Sequence, residues 1–175
     1  MIVDAAIARV EQHGLEELSA RKLAQDLGCE AMSLYHHIGN MEELKDAMVD
    51  RLLSAIPPAK ASKPAEALAE EAQSYLALAD TQARTFGLVA TRRWKGERAA
   101  ATAARAVGKF VSLGHGQQEA LARARVLGAY LNGAGLALAA WKTDPDKPRP
   151  EDARQVIADL DQGLAMLINA LTKPS

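Results

Sequence analysis

The chain has one cysteine, few aromatic side chains and no run of β-branched residues, and each shortage excludes something. With Cys29 alone in 175 residues, no internal disulfide framework can form, and the core must hold by packing. Period-two alternation is missing as well, so nothing in the pattern builds a half-buried strand. No stretch is apolar over the length a bilayer requires, and the first residues lack a basic-then-apolar signal pattern; a cytoplasmic protein with no membrane partner is expected. A glycine-rich phosphate loop, a nucleophile elbow and a His/Cys/carboxylate cluster at metal-ligand spacing are also lacking, so neither an enzyme nor a bound cofactor is expected. Glu70-Glu71 and the Asp159/Asp161 pair are acidic, but neighbours at these spacings do not face one site on a helix, and they read as solvated faces.

What is present is helix. Alanine and leucine are abundant and apolar residues recur at helical spacing, which predicts an all-α chain of about nine helices. Residues 2–13 carry Val3, Ala6, Ile7 and Val10 on one face and stop at Gly14. Ser19 stands at an N-cap position ahead of a two-turn helix burying Leu23, Ala24 and Leu27. Gly28 ends that helix, since glycine takes the left-handed exit conformation without strain. Residues 30–38 resume as helix with Leu34 and Ile38 inward. Ala31, Met32, Ser33, His36 and His37 then point outward, an unusual set for a solvated face. Asn40 caps a fourth helix over 41–56, with Glu43 completing a capping-box-like pair and Met41, Leu44, Met48 and Leu52 buried. Pro57-Pro58 terminates it.

Two helices joined by a tight glycine turn make a helix-turn-helix, although spacing alone leaves an ordinary helical hairpin equally open. The residues themselves go further. Gly14, Leu18-Ser19, Arg21-Lys22-Leu23-Ala24, Leu27-Gly28, Leu34-Tyr35-x-His37 and Asn40, followed by an amphipathic helix, closely resemble the DNA-binding domain of the tetracycline-repressor (TetR) family of bacterial regulators. The resemblance covers residues 1–53. It implies a three-helix DNA-binding domain over 1–53 and a ligand-binding and dimerisation bundle of antiparallel helices over 54–175. By position, Arg21, Ala31, Met32 and Ser33 would face bases, and Ser19, Lys22, Tyr35, His36 and His37 would grip phosphates of double-stranded operator DNA. Tyr35 also has a plainer reading as a half-buried packing residue. Adjacent histidines point about 100° apart on a helix and have no third ligand nearby, which argues against a metal there. Met41 stands where many family members carry a phosphate-binding lysine, the chain begins almost inside the first helix with no basic arm, and Cys29 replaces the family's usual apolar residue and reads as core packing.

Charge is distributed against expectation. Residues 1–56 hold 5 Lys and Arg against 10 Asp and Glu, a net of −5, whereas residues 57–175 hold 16 against 12, a net of +4. Non-specific affinity for DNA comes mainly from neutralised phosphates. Either the acids lie on faces turned away from DNA, or the chain is a ligand-binding or scaffolding dimer that has lost DNA binding.

After a linker from Pro57 to Pro64, residues 65–80 should bury Leu68, Ala72, Tyr75, Leu76 and Ala79. Residues 83–94 read as a shorter helix, and 97–113 should bury Ala100, Ala103, Ala104, Val107 and Val111. From Val126 to Trp141 the only strongly polar side chain is Asn132, so the helix over 117–141 is expected to be buried all round, with Gly128, Gly133 and Gly135 admitting another backbone. Beyond the loop TDPDKPRP, residues 151–172 repeat Val156, Leu160, Leu164, Leu167 and Leu171 as a narrow seam for a helical partner. The family resemblance places homodimer contacts on these last two helices, which could instead simply fill the monomer core, and a small-molecule effector among the central ones. Tyr75, Phe86, Arg92, Trp94, Phe110, Tyr130, Asn132 and Trp141 are the candidates to line its pocket, although Arg92-Arg93 also reads as a solvated pair. No histidine lies between residues 38 and 114, which argues against a metal-chelated drug such as tetracycline, and the scarcity of aromatics argues for a compact or flexible effector.

Overall fold

The computed structural model describes residues 1–144, 146 and 150–173, with backbone only at 150, 151 and 153. The described residues are helical and contain no strand. The helices are α1 (Ile2–His13), α2 (Ala20–Leu27), α3 (Ala31–Ile38), α4 (Met41–Leu53), α5 (Pro64–Thr81), α6 (Ala83–Thr91), α7 (Glu97–Ser112), α8 (Gln117–Thr143) and α9 (Pro150–Leu171). A short 3-10 turn, Leu15–Glu17, bridges α1 and α2. Much of the expected TDPDKPRP loop, Pro145 and residues 147–149, lies outside the described residues.

Local chemistry sets the N-terminal ends. Ser19 Oγ accepts the Lys22 amide at 3.3 Å, and Asn40 Oδ1 accepts the amides of Glu42 and Glu43 at 2.9 Å each. Asn40 Nδ2 also donates to Glu43 Oε1 at 2.6 Å, so the cap and the third residue hold each other. Gly28 adopts φ 66° and ψ 31°, a left-handed exit that lets α3 cross α2. Cys29 follows directly, and its amide bonds the Ala24 carbonyl at 3.0 Å. This turn carries its side chain off both packed faces. Cys29 is therefore exposed, and the expectation of core packing is overturned.

One apolar cluster runs from Ala6 of α1 to Ile168 of α9. Leu23, Leu34, Leu44 and Met48 are essentially sealed, and each such side chain contributes about 1.5–3 kcal/mol of transfer free energy. α8 is the central post, packed by α5, α6, α7 and α9, while α4 touches α1 and α3 on one side and α6 and α7 on the other. Of the described helices, none is long and apolar enough to cross a membrane.

Four expectations from periodicity are corrected. In α7, Ala100, Ala103, Ala104 and Val111 are exposed and Val107 is half-buried; the inward face is set by Ala99 and Phe110. Alanines occur on every side of this helix, and the one bulky ring decides its rotation. α8 is not buried all round: Ala122, Val126, Ala129, Gly133, Ala137 and Ala140 form an exposed stripe at helical spacing. Gly128 and Gly133 face open space, and only Gly135 is closely approached, by the ring of Phe86 rather than by a backbone. The α9 seam packs on the chain's own core through Leu160, Leu164, Leu167 and Leu171, leaving Ile157 and Met166 outside.

Candidate nucleic-acid interface and effector cavity

α3 presents its outward residues as a contiguous surface. Met32 is 70% exposed and Tyr35 40%, Ser33, His36 and His37 are exposed, and Ala31 is half-buried against the core. The helix itself contains no acid, and the one acid beside this surface is Glu30, exposed at the N-cap of α3. Arg21 of α2 is exposed and has no ionic partner among the described residues, whereas the Lys22 ammonium is held by Glu17. Ser19 is occupied as the α2 cap.

The excess of acid in the N-terminal helices finds its partners on the opposite side. Arg92, at the exit of α6, pairs with Asp46 Oδ1 through Nη2 at 2.5 Å and with Glu42 Oε2 through Nη1 at 2.8 Å. Lys95 reaches Asp46 Oδ2 at 2.9 Å. Glu42, Asp46 and Asp50 are spaced four residues apart, so they form one charged edge of α4 facing the α6–α7 connection. Hydrogen bonds from Lys95 and then Arg92 hold the Asp46 carboxyl below its ordinary pKa, and those from Lys45 and then Arg92 do the same for Glu42.

Two carboxylates of the N-terminal helices, Glu11 and Asp50, cap helices belonging to the other half of the chain. Neither α6 nor α7 has a side-chain cap of its own. Glu11 of α1 accepts the Thr85 amide at 2.7 Å and the Arg84 amide at 3.4 Å, together with the Thr85 hydroxyl. Asp50 of α4 accepts the Ala99 amide at 3.0 Å. A negative group at a helix N-terminus satisfies orphan donors and opposes the positive end of the helix dipole. Gly96 leaves the room for Asp50: a Cβ there would run into its carboxylate.

Behind this joint lies a cavity of about 420 Å³ between α5, α7 and α8, within the size range of small-molecule sites. Tyr75, Trp94 and Asn132 line it; Phe86, Arg92, Phe110, Tyr130 and Trp141 do not. The Tyr75 hydroxyl donates to Asn132 Oδ1 at 2.6 Å, and Asn132 Nδ2 donates to the Ala90 carbonyl at 3.1 Å. Burial pushes the Tyr75 pKa above its ordinary value. Phe86 is sealed in the core, edge-on to Tyr75 with ring centroids 5.5 Å apart. Phe110 lies 6.2 Å from the His115 ring, Tyr130 donates to the Leu160 carbonyl at 2.7 Å, and Trp141 is half-buried. Arg92 belongs to the α4 joint, while Arg93 is exposed.

Sequence reasoning missed Glu71 and Arg125 in the cavity wall. Glu71, expected on a solvated face, is only 9% exposed, because α7 supplies Arg105 at 3.2 Å and Lys109 at 2.9 Å to neutralise it. Those cations, spaced i and i+4 on one helix, are the sequence signal that could have found it.

The family model for bacterial regulatory proteins, tetR family, matches residues 2–48. The class D tetracycline repressor protein of Escherichia coli is 40% identical over 53 residues, which cover 30% of this chain and 24% of that repressor; the match thus spans about a quarter of its length. TetR from Acinetobacter baumannii AYE, solved in complex with minocycline, superimposes with a TM-score of 0.81 at 24% identity, covering 97% of this chain and 93% of that one. The TetR family protein ActR of Streptomyces coelicolor, solved in complex with actinorhodin, gives 0.79 at 22% identity, covering 97% and 94%.

Proposed function

Because the chain belongs, by its N-terminal helices, to the TetR family of bacterial regulatory proteins, we propose that it is a ligand-responsive transcriptional repressor. In this reading residues 1–53 read palindromic operator DNA, and residues 54–175 dimerise and bind an effector that releases the DNA. The observation that carries it is the surface of α3: acid-free, largely exposed and bearing Ala31, Met32, Ser33, Tyr35, His36 and His37, while four acids of the N-terminal helices are engaged by the opposite half of the chain. Ala31 and Met32 suit a thymine methyl, Ser33 can donate or accept, and Arg21 is free to pair with a base edge. Ser19, Lys22, Tyr35 and the two histidines contact the flanking phosphates, Lys22 by exchanging Glu17 for a phosphate oxygen.

One such unit buries too little surface to bind tightly. A homodimer formed through the exposed stripe of α8 and the outer face of α9 sets two α3 helices about 34 Å apart, one turn of DNA. Such a stripe of small side chains allows two helices to approach closely, which supports its use as the pairing face. Effector binding in the α5–α7–α8 cavity displaces α7 or α6, and through Asp50, Asp46 and Glu11 moves α4 and α1, changing that spacing.

The test is fluorescence anisotropy on the duplex upstream of the chain's own gene and on a shuffled duplex, at low and moderate salt. Preferential binding that weakens with salt and is lost in Tyr35→Ala and Arg21→Ala is the expected result. The net charge of −5 over residues 1–56 favours one rival, a ligand-binding dimer without DNA activity; equal weak binding to both duplexes, followed by an empty genome-wide selection of bound fragments, would establish that rival instead.

A further inference from the structure

The charges around the cavity do not balance. Glu71 is the one acid in its wall, and it is answered twice: Arg105 Nε bonds Oε1 at 3.2 Å and Lys109 Nζ bonds Oε2 at 2.9 Å, with the Ala59 amide also on Oε1 at 3.3 Å. No carboxylate is therefore left over to receive a cation. Across the cavity, Arg125 of α8 lines the wall and has no hydrogen bond or ion pair among the described residues. Glu71, Arg105, Lys109 and Arg125 together carry a formal net of +2. The Tyr75–Asn132 pair is already engaged internally, so it offers little to a charged group. The rest of the wall is apolar, including Leu68, Trp94, Val107, Leu121 and Leu131.

We propose that the effector is a monoanionic amphiphile, an apolar body with one carboxylate-type acid group, whose acid pairs with Arg125 while the body lies between α5, α7 and α8. This rests on the effector-cavity reading above. A guanidinium matches a carboxylate with two parallel hydrogen bonds, and Arg125, which lines the cavity while remaining exposed, has its donors available to make them. A cationic amphiphile would meet Arg125 and find no free counter-charge, because Glu71 is already paired with Arg105 and Lys109. A neutral one would gain only the apolar contacts.

The assay uses the full chain with Trp141→Phe, leaving Trp94 in the cavity wall as the single tryptophan. Its fluorescence is titrated with decanoate, decanol and decyltrimethylammonium, which share one alkyl length and differ in charge. Decanoate is expected to bind about tenfold more tightly than decanol, and the cation more weakly than either. Arg125→Gln should remove about tenfold of the decanoate affinity while changing that for decanol less than twofold, and Arg125→Lys should retain part of the preference. Equal binding of decanoate and decanol, or decanoate affinity unchanged in Arg125→Gln, overturns the acid assignment and leaves the effector cavity standing. Saturable binding of none of the three overturns the cavity reading and this inference together.

Discussion

Substituting Asp50 tests whether the two halves of the chain are joined by a borrowed helix cap. Asp50→Ala removes the acceptor for the Ala99 amide at the start of α7, where no other side chain substitutes for it. Losing an N-cap acceptor costs about 0.5–2 kcal/mol. The accompanying pair to Arg98 spans 3.9 Å and its arginine is 66% exposed, so screening leaves it a small part of the total. A loss of about 1–2 kcal/mol is expected, which in a chain of this size lowers Tm by about 2–8 °C. Asp50→Asn, which keeps a carbonyl oxygen, should lose less. The decisive control is Gly96→Ala. Its Cβ would meet the Asp50 carboxylate and lie 2.7 Å from the Asp50 Cβ, so it should destabilise the native chain, cost less once Asp50 is alanine and be nearly silent only once Asp50 is glycine. Thermal unfolding followed by circular dichroism at fixed protein concentration measures the cycle. Additive costs for Asp50→Ala and Gly96→Ala would refute the capping contact.

Two further outcomes follow from the same geometry. The carboxyls of Asp46 and Glu42 titrate below their ordinary range when folded, so they stabilise the fold at any pH above the unfolded value, and that contribution disappears as the pH falls through their folded values; stability should be level from pH 5 to 8 and decline below about pH 4, less steeply in Arg92→Gln, and a main loss between pH 6 and 7 would contradict this. Gly135→Ala should cost about 1–3 kcal/mol because its methyl enters the Phe86 ring, while Gly108→Ala, with open space around it in α7, should gain about 0.5–1 kcal/mol; denaturant unfolding of the two variants gives the comparison, and equal effects would refute the packing account.

The features legible in the sequence are those whose causes lie within a few residues. Ser19, Gly28 and Asn40 each act on amides or carbonyls one turn away, so their roles follow from local order. The buried face of α5 was equally readable because Leu68, Tyr75 and Leu76 are bulky and lie on one side. α7 was misread because alanine carries too little volume to mark a face. The seam of α9 is correct as a pattern, but periodicity does not say whose surface it meets. Glu71 and the capping acids were invisible for a different reason. Their partners lie 34 to 74 residues away, and the sign of a charge does not say where its counter-charge folds to.

The borrowed caps also bear on how the chain folds. Glu11 and Thr85 are 74 residues apart, and Asp50 and Ala99 are 49 apart, so neither contact can form until a long loop has closed. Until then α6, of nine residues, and the first turn of α7 lack the acceptors that hold their ends, and a helix that short is marginal by itself. Their consolidation therefore waits for α1 and α4 to dock. Opening either end exposes donors in the other half, so the two halves should melt in a single transition, and amide exchange at Thr85 and Ala99 should report global rather than local unfolding.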